Sequence, residues 1–278
     1  MTRQEEILGP HPVFHPVIGV WLDFEDKEPT ENQCLRFLSE KHELGEAEMS
    51  PFSDLLIQYH YSDKAILTMK TNFKKLGLPK FAQYYEQSRK MPNNLITQKG
   101  NAVEVLMTEY SLAAINKSDL TYAHRFRYNP NVDQSMKGDD MLIVDFSDTA
   151  HPVIYLGEAK YRNSVSKQVV DDVSQSLNKD KMPLSLTFLR DCAETNDAEY
   201  ALLDNLLTKT LSDYDIRYIG FIAGDTNACK AVEKHWCSDN PRHLVMVLSM
   251  NDPEKFVVDS FNMATAKLQQ KDDYDVKG

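Results

Sequence analysis

The chain has 278 residues, 42% apolar and 26% charged, with a formal net charge of −11 at pH 7. It can bury a sizeable core, and with no run of about 18 apolar residues it lacks the signature of a membrane-spanning helix. The acidic excess argues against a protein that coats nucleic acid through bulk charge, although local charge acts within a Debye length of about 8–10 Å.

In chain order, Met1–Glu6 has neither the basic start nor the apolar stretch of a signal peptide. Cys34, Cys192, Cys229 and Cys237 lie far apart, and a reduced cytoplasmic protein is expected. Val17 to Leu22 reads as a strand, and Asn32 to Leu38 has short helical spacing. Lys64 to Lys75 is a basic amphipathic helix stopped by Gly77 and Pro79, and a further helix begins at Phe81 to Tyr85 before Met91-Pro92-Asn93-Asn94 breaks it. Residues 1–95 are therefore expected to form a mainly helical region. His11 and His15 have the spacing of zinc ligands on a helix, but Pro12 and Pro16 forbid that helix. Cys229, His235 and Cys237 lack the paired spacing of a structural zinc site.

From Gln98 helix and strand alternate, and residues 96–269 are expected to form an α/β core. Val103, Leu106, Met107, Tyr110 and Ala114 recur on one helical stripe with Glu104 at its edge. Thr121 to Tyr128 is a strand candidate, followed by two apolar strands around Met141–Asp145 and Val153–Lys160. Ser164 to Leu177 is helical, and Leu184 to Leu211 is a Leu-rich acidic helical region that suits a hairpin. Ile216–Ile222 and Leu244–Leu248 read as buried central strands, and Pro253 to Leu268 closes as a helix. The sum is a mixed sheet of about five strands with helices on both faces. Residues 270–278 read as a disordered polar tail. Residues 60–90 carry seven basic side chains against two acids, while residues 191–215 carry seven acids and Lys209 alone. One face for a polyanion and another for a basic partner or solvent would explain that asymmetry.

The chemistry concentrates in Gly138-Asp139-Asp140-Met141-Leu142 and Gly157-Glu158-Ala159-Lys160. Alternation places Glu158 and Lys160 on one face of a strand. A carboxylate and an ammonium at the end of an apolar strand are costly without a partner. A divalent ion held by Asp140 and Glu158 through hard oxygen ligands would supply one, with Lys160 beside the water or phosphate it polarises. Asp145 lies at the far end of its strand and is expected to face solvent.

Asp140, a gap of 17 residues and then Glu158-Ala159-Lys160 resembles the PD-(D/E)xK nuclease superfamily. Lys137–Leu142 and Gly157–Arg162 are similar, more narrowly, to the HamA effector nucleases of the Hachiman anti-phage defence system. The resemblance carries motifs over roughly Gln98 to Leu177, and Asp139 stands where the superfamily's proline would be. It implies a PD-(D/E)xK nuclease-like mixed sheet flanked by helices, and DNA cleavage with Mg²⁺ or Mn²⁺ as cofactor. By the same resemblance Asp140 and Glu158 would be ligands, helped by the Ala159 carbonyl, and Lys160 and Glu104 catalytic neighbours. Asp139 or Asp140 could hold the metal, and Gln168 or Gln175 could be the glutamine that family members place near the site. Arg162 and Lys167 would be phosphate contacts. The resemblance also implies a partner superfamily 2 helicase, similar to HamB, that restrains the nuclease. The alternative is a catalytically silent nuclease-fold subunit that binds and regulates such a helicase.

Overall fold

A computed structural model describes residues 1–78, 80–81, 91–178, 182–193, 196–208 and 214–275. Its centre is a seven-stranded mixed sheet. The strands are β1 (Leu22–Asp26), β2 (Leu35–Glu40), β3 (Leu120–Tyr122), β4 (Met141–Asp145), β5 (Val153–Tyr161), β6 (Asp215–Gly224) and β7 (His243–Ser249), in the order β1-β2-β7-β6-β5-β4-β3. From β2 through β7 and β6 to β5 the pairing is parallel; the outer pairs β1–β2, β5–β4 and β4–β3 are antiparallel. β7 and the second half of β6 are apolar and buried on both faces, as strands covered by helices on each side must be.

The helices are α1 (Arg3–Ile7), α2 (Ile18–Trp21), α3 (Glu46–His60), α4 (Asp63–Lys75), α5 (Leu95–Ile115), α6 (Lys167–Leu177), α7 (Met182–Cys192), α8 (Asp197–Leu207), α9 (Ala228–His235) and α10 (Pro253–Asp275). One face of the sheet packs Tyr155, Ala159, Phe221 and Met246 against α5, α3 and α10. On the other face, Val245 and Val247 meet α6 and α9, and Ile154 and Leu156 meet α7 and α8. The five stripe residues of α5 are all buried. That helix starts at Leu95, where the Asn94 side chain accepts the Ile96 N–H at 2.9 Å, and ends at Asn116 in the left-handed conformation.

Several expectations are corrected. Val17 to Leu22 is the short helix α2, with strand β1 beginning only at Leu22, and Asn32 to Leu38 contributes to strand β2 rather than a helix. β1 and β2 thus extend the sheet from about five strands to seven and carry it across residue 95 into the N-terminal region. Of Thr121 to Tyr128, β3 takes only the first residues, and Arg125–Tyr128 is a 3₁₀ turn. The closing helix continues past Leu268 to Asp275, into the segment expected to be disordered. The helix expected from Phe81 lies almost wholly outside the described residues. The basic helix over Lys64 to Lys75 and the hairpin of α7 and α8 are present as expected.

Candidate active site

β5 is four residues longer than its pairing with β4. The β4–β5 ladder ends at Met141–Gly157, whereas β6 follows β5 as far as Tyr161. Glu158 to Tyr161 therefore have a strand neighbour on one side only, and an unpaired N–H in that position needs another acceptor. Asp140, the residue before β4, supplies it: its Oδ2 accepts the Ala159 N–H at 2.9 Å, and its own N–H donates to the Gly157 carbonyl at 3.0 Å. Gly138 makes the turn into β4 with φ +109°, a conformation that suits glycine.

Around this open edge stand the residues singled out from the sequence. Glu158, only 5% exposed, accepts a hydrogen bond from Lys160 Nζ at 2.5 Å. Ala159 and Tyr161 point to the α5 side, so Glu158 and Lys160 project to the opposite face of β5. Glu104 approaches from α5. Its Oε2 is buried and has no hydrogen-bond partner, with the Arg125 guanidinium 3.7 Å away. The same Arg125 Nη1 lies 3.6 Å from Asp140 Oδ1. Arg125 also donates to the carbonyls of Asp139 and, at 2.9 Å, Met136.

The protonation equilibria follow from this crowding. Burial, followed by the charge of Asp140, pushes the Glu104 carboxyl well above the usual carboxylate range. Burial and the Glu158 charge raise Asp140 to about 6, against the opposing pull of Arg125 and the Ala159 N–H. Burial works against the Lys160 ammonium, but its hydrogen bond to Glu158 and the charges of Glu158 and Asp140 outweigh that, and its pKa rises. Three acids and two cations crowd one edge of the sheet. Among the described residues, no three carboxylate, histidine or cysteine side chains form a group that could hold a metal ion.

Asp139 turns elsewhere. Its N–H donates to Ser185 Oγ at 2.9 Å, and Ser185 Oγ–H donates to Asp139 Oδ2 at 2.6 Å, tying the loop before β4 to α7. Gln168 and Gln175 are both exposed on α6, Gln168 donating to Asp172 at 2.7 Å. Arg162 and Lys167 are exposed too. Asp145 does not face solvent as expected: it is 2% exposed, paired with Lys117, and accepts the Ser147 N–H at 2.9 Å. His11 stacks on Phe24 and meets the Tyr110 hydroxyl at 3.0 Å, while His15 Nδ1 accepts backbone N–H groups at the start of α2. All four cysteines are free.

Arg125 and Ser185 escape a reading of the sequence. An arginine inside an apparent strand and a serine in a Leu-rich helix look ordinary. The usable signal is the basic run Arg125-Phe126-Arg127 just upstream of an acidic motif that needs counter-charge.

A family model described as HamA matches residues 15–264, a span that contains all seven strands, the motif loop and α5. The chain belongs to the HamA family. It is 31% identical over 273 residues to a protein of Bacillus cereus named "Hachiman protein HamA", an alignment covering 96% of this chain and 97% of that one. The HamA match begins before β1, so the two N-terminal strands lie within the family's own span. Among the described residues, no helix is long and apolar enough to cross a membrane.

Proposed function

We propose that this HamA-family chain is a metal-dependent DNA endonuclease or nickase with a PD-(D/E)xK-type site. The observation that carries the reading is the convergence of Asp140, Glu158 and Lys160, with Glu104, on the open edge of β5. Asp140 and Glu158 would hold Mg²⁺ or Mn²⁺, helped by the Ala159 carbonyl, and Glu104 would support a second position. Asp140 is favoured over Asp139 because Asp139 is engaged with Ser185. The donor set fits a hard divalent cation: all the side-chain ligands are carboxylates, Glu158 raises the pKa of Asp140 and both raise that of Glu104, and the buried Glu104 Oε2 has no hydrogen-bond donor. Such an ion, when bound, supplies Lewis acidity and lowers the pKa of a water. Lys160, kept protonated by its carboxylate neighbours, places a positive charge where a scissile phosphate or attacking water would lie. Arg125 holds the loop that carries Asp140 and balances the acids.

We assign the chain to the effector role of a Hachiman-type anti-phage complex in the cytoplasm, with DNA as substrate and a superfamily 2 helicase, similar to HamB, as restraining partner. The support is the family and the name of its Bacillus cereus relative. A second reading has its own observation. Lys160 and Arg125 already satisfy much of the acidic charge, and no metal-holding group stands ready among the described residues. A silent nuclease-fold subunit that regulates the helicase would look this way.

The two readings separate on plasmid and linear DNA incubated with the purified chain in Mg²⁺, Mn²⁺ or EDTA, alone and with the helicase and ATP. Metal-dependent cutting that disappears in Glu158→Ala and Lys160→Ala, both still folded, is the expected result. Cutting retained by either variant would refute the site, and no cutting in any condition would favour the silent subunit.

A further inference from the structure

Beside the carboxylates the fold leaves a cavity of about 200 Å³. Glu104, Arg125 and Asp140 line one end; Phe126, Leu184 and Phe188 are among the apolar side chains of the rest. Leu184, an apolar side chain of its lining, is 56% exposed, and Phe188 is backed edge to face by the Tyr128 ring at 5.5 Å. Lys137, exposed, also borders it. The wall formed by α7 is pinned through Ser185 to both the N–H and the carboxylate of Asp139.

We propose that this cavity is a nucleobase pocket, taking one unpaired base of a DNA strand whose backbone crosses Asp140 and Glu158. The proposal rests on the nuclease reading above and names its substrate class: single-stranded or frayed DNA. Three observations select this occupant. The volume lies below the roughly 300–1,000 Å³ of pockets for drug-sized ligands and suits one ring system. Phe126 and Phe188 give the lining the aromatic rings on which bases of single strands stack, and stacking tolerates any base. The polar end, with Arg125 and two carboxylates, would be buried without compensation by an apolar plug from a protein partner, whereas a base edge offers hydrogen-bonding atoms and carries its phosphate towards Lys160. A base inside a duplex is stacked and paired, and reaches such a pocket only by flipping out at a cost of a few kcal/mol.

The test uses the full chain, a mixed-sequence single-stranded oligonucleotide, its blunt duplex, and the same strand made abasic. Wild type should cut the single strand fastest. Phe188→Ala should lose about tenfold on the single strand, the scale of one lost base–aromatic stack, and stay within about twofold on the duplex. Phe188→Trp should retain the single-strand rate, and the exposed Leu184→Ala gives a second variant that does not threaten folding. On the abasic strand wild type should fall to the rate of Phe188→Ala, which itself should lose nothing more. Fluorescence of a 2-aminopurine strand bound to Glu158→Ala reads the pocket without cleavage: quenching is expected, and its loss on adding Phe188→Ala. If no DNA is ever cut but this quenching depends on Phe188, the nuclease reading falls and the pocket stands. Equal cutting of both substrates by wild type and Phe188→Ala, with unchanged fluorescence, would overturn the pocket. Unchanged DNA handling with loss of helicase co-purification would overturn it in favour of a protein plug.

Discussion

Replacing Arg125 by Met tests whether this guanidinium is the counter-ion of the site. The side chain is 11% exposed and stands 3.6 Å from Asp140 and 3.7 Å from Glu104, and it donates to the Met136 and Asp139 carbonyls. Removing one partner of a largely buried charge cluster costs about 3–5 kcal/mol. Two charge-assisted hydrogen bonds at about 1.5 kcal/mol or more each give a similar lower bound. At roughly 2–4 °C per kcal/mol for a chain of this size, the melting temperature should fall by about 6–20 °C. Mg²⁺ should then restore more stability to Arg125→Met than it adds to wild type, because the cation enters a site stripped of its resident charge. Thermal and urea unfolding at pH 7.5, with and without Mg²⁺, read both effects. A loss below about 2 °C together with equal Mg²⁺ increments would mean that solvent, not Arg125, neutralises Asp140 and Glu104.

Two further outcomes follow from packing and burial. At Gly157 an added Cβ would meet Met141 Cβ at 2.8 Å and the Met107 thioether at 2.9 Å. The thioether can swing away but the Met141 Cβ cannot, so Gly157→Ala should cost about 1–3 kcal/mol and roughly 2–12 °C; Met107→Ala should relieve only part, and full stability of the single variant would show that β4 yields freely. Burial lowers His60 and His243 from 6.5 to about 4. Above pH 6.5 both rings are neutral folded or unfolded; between 6.5 and 4 only the unfolded chain takes up their protons, so stability falls as pH falls, by up to about 3 kcal/mol per ring. Burial prevails at His60 although the Leu56 carbonyl, 2.8 Å from Nδ1, pulls the other way; Nε2 lies 2.8 Å from the Asn101 amide nitrogen. Urea midpoints at pH 7.5 and 5 should separate in wild type and draw together in His243→Gln; parallel behaviour of the two would contradict the assignment.

What could be read from the sequence is what local pattern dictates. The α5 stripe and the apolar runs of β6 and β7 each lie within one element, and they are found in the structure as read. β1 and β2 were hidden for opposite reasons. The middle of β1 is Asp23, Phe24 and Glu25, all exposed on an edge strand, so no alternation marks it. β2 carries the fully buried Arg36, held by Asp26 and the Gly9 carbonyl, and its parallel partner β7 lies some 200 residues away. A charge in a strand and a distant partner both defeat a window of a dozen residues. Asp145 misled for the same reason: only the fold brings Lys117 to it. Arg125 belongs to this class, since its value lies in reaching Glu104 and Asp140 from a turn between them.

The site itself is a consequence of unequal strand lengths. Had β4 begun four residues earlier it could have paired with Glu158 to Tyr161, the Ala159 N–H would have a backbone acceptor, and Asp140 would be free to point away. Instead the chain turns at Gly138, where a Cβ would stand 3.0 Å from Ser185 Oγ, and α7 holds that turn through Asp139. β4 therefore starts late, and the open edge of β5 must recruit a side chain. A carboxylate recruited there lies beside Glu158, desolvated and repelled by it, which forces Asp140 up to about 6 and makes nearby cations a condition of folding. Lys160 and Arg125 meet that condition. In the nuclease reading proposed above, the same repulsion would draw a divalent ion to the edge and the retained Lys160 would draw a phosphate. Stability without a ligand, and on that reading affinity for one, would both be set by the crowding of carboxylates where one strand outruns its neighbour.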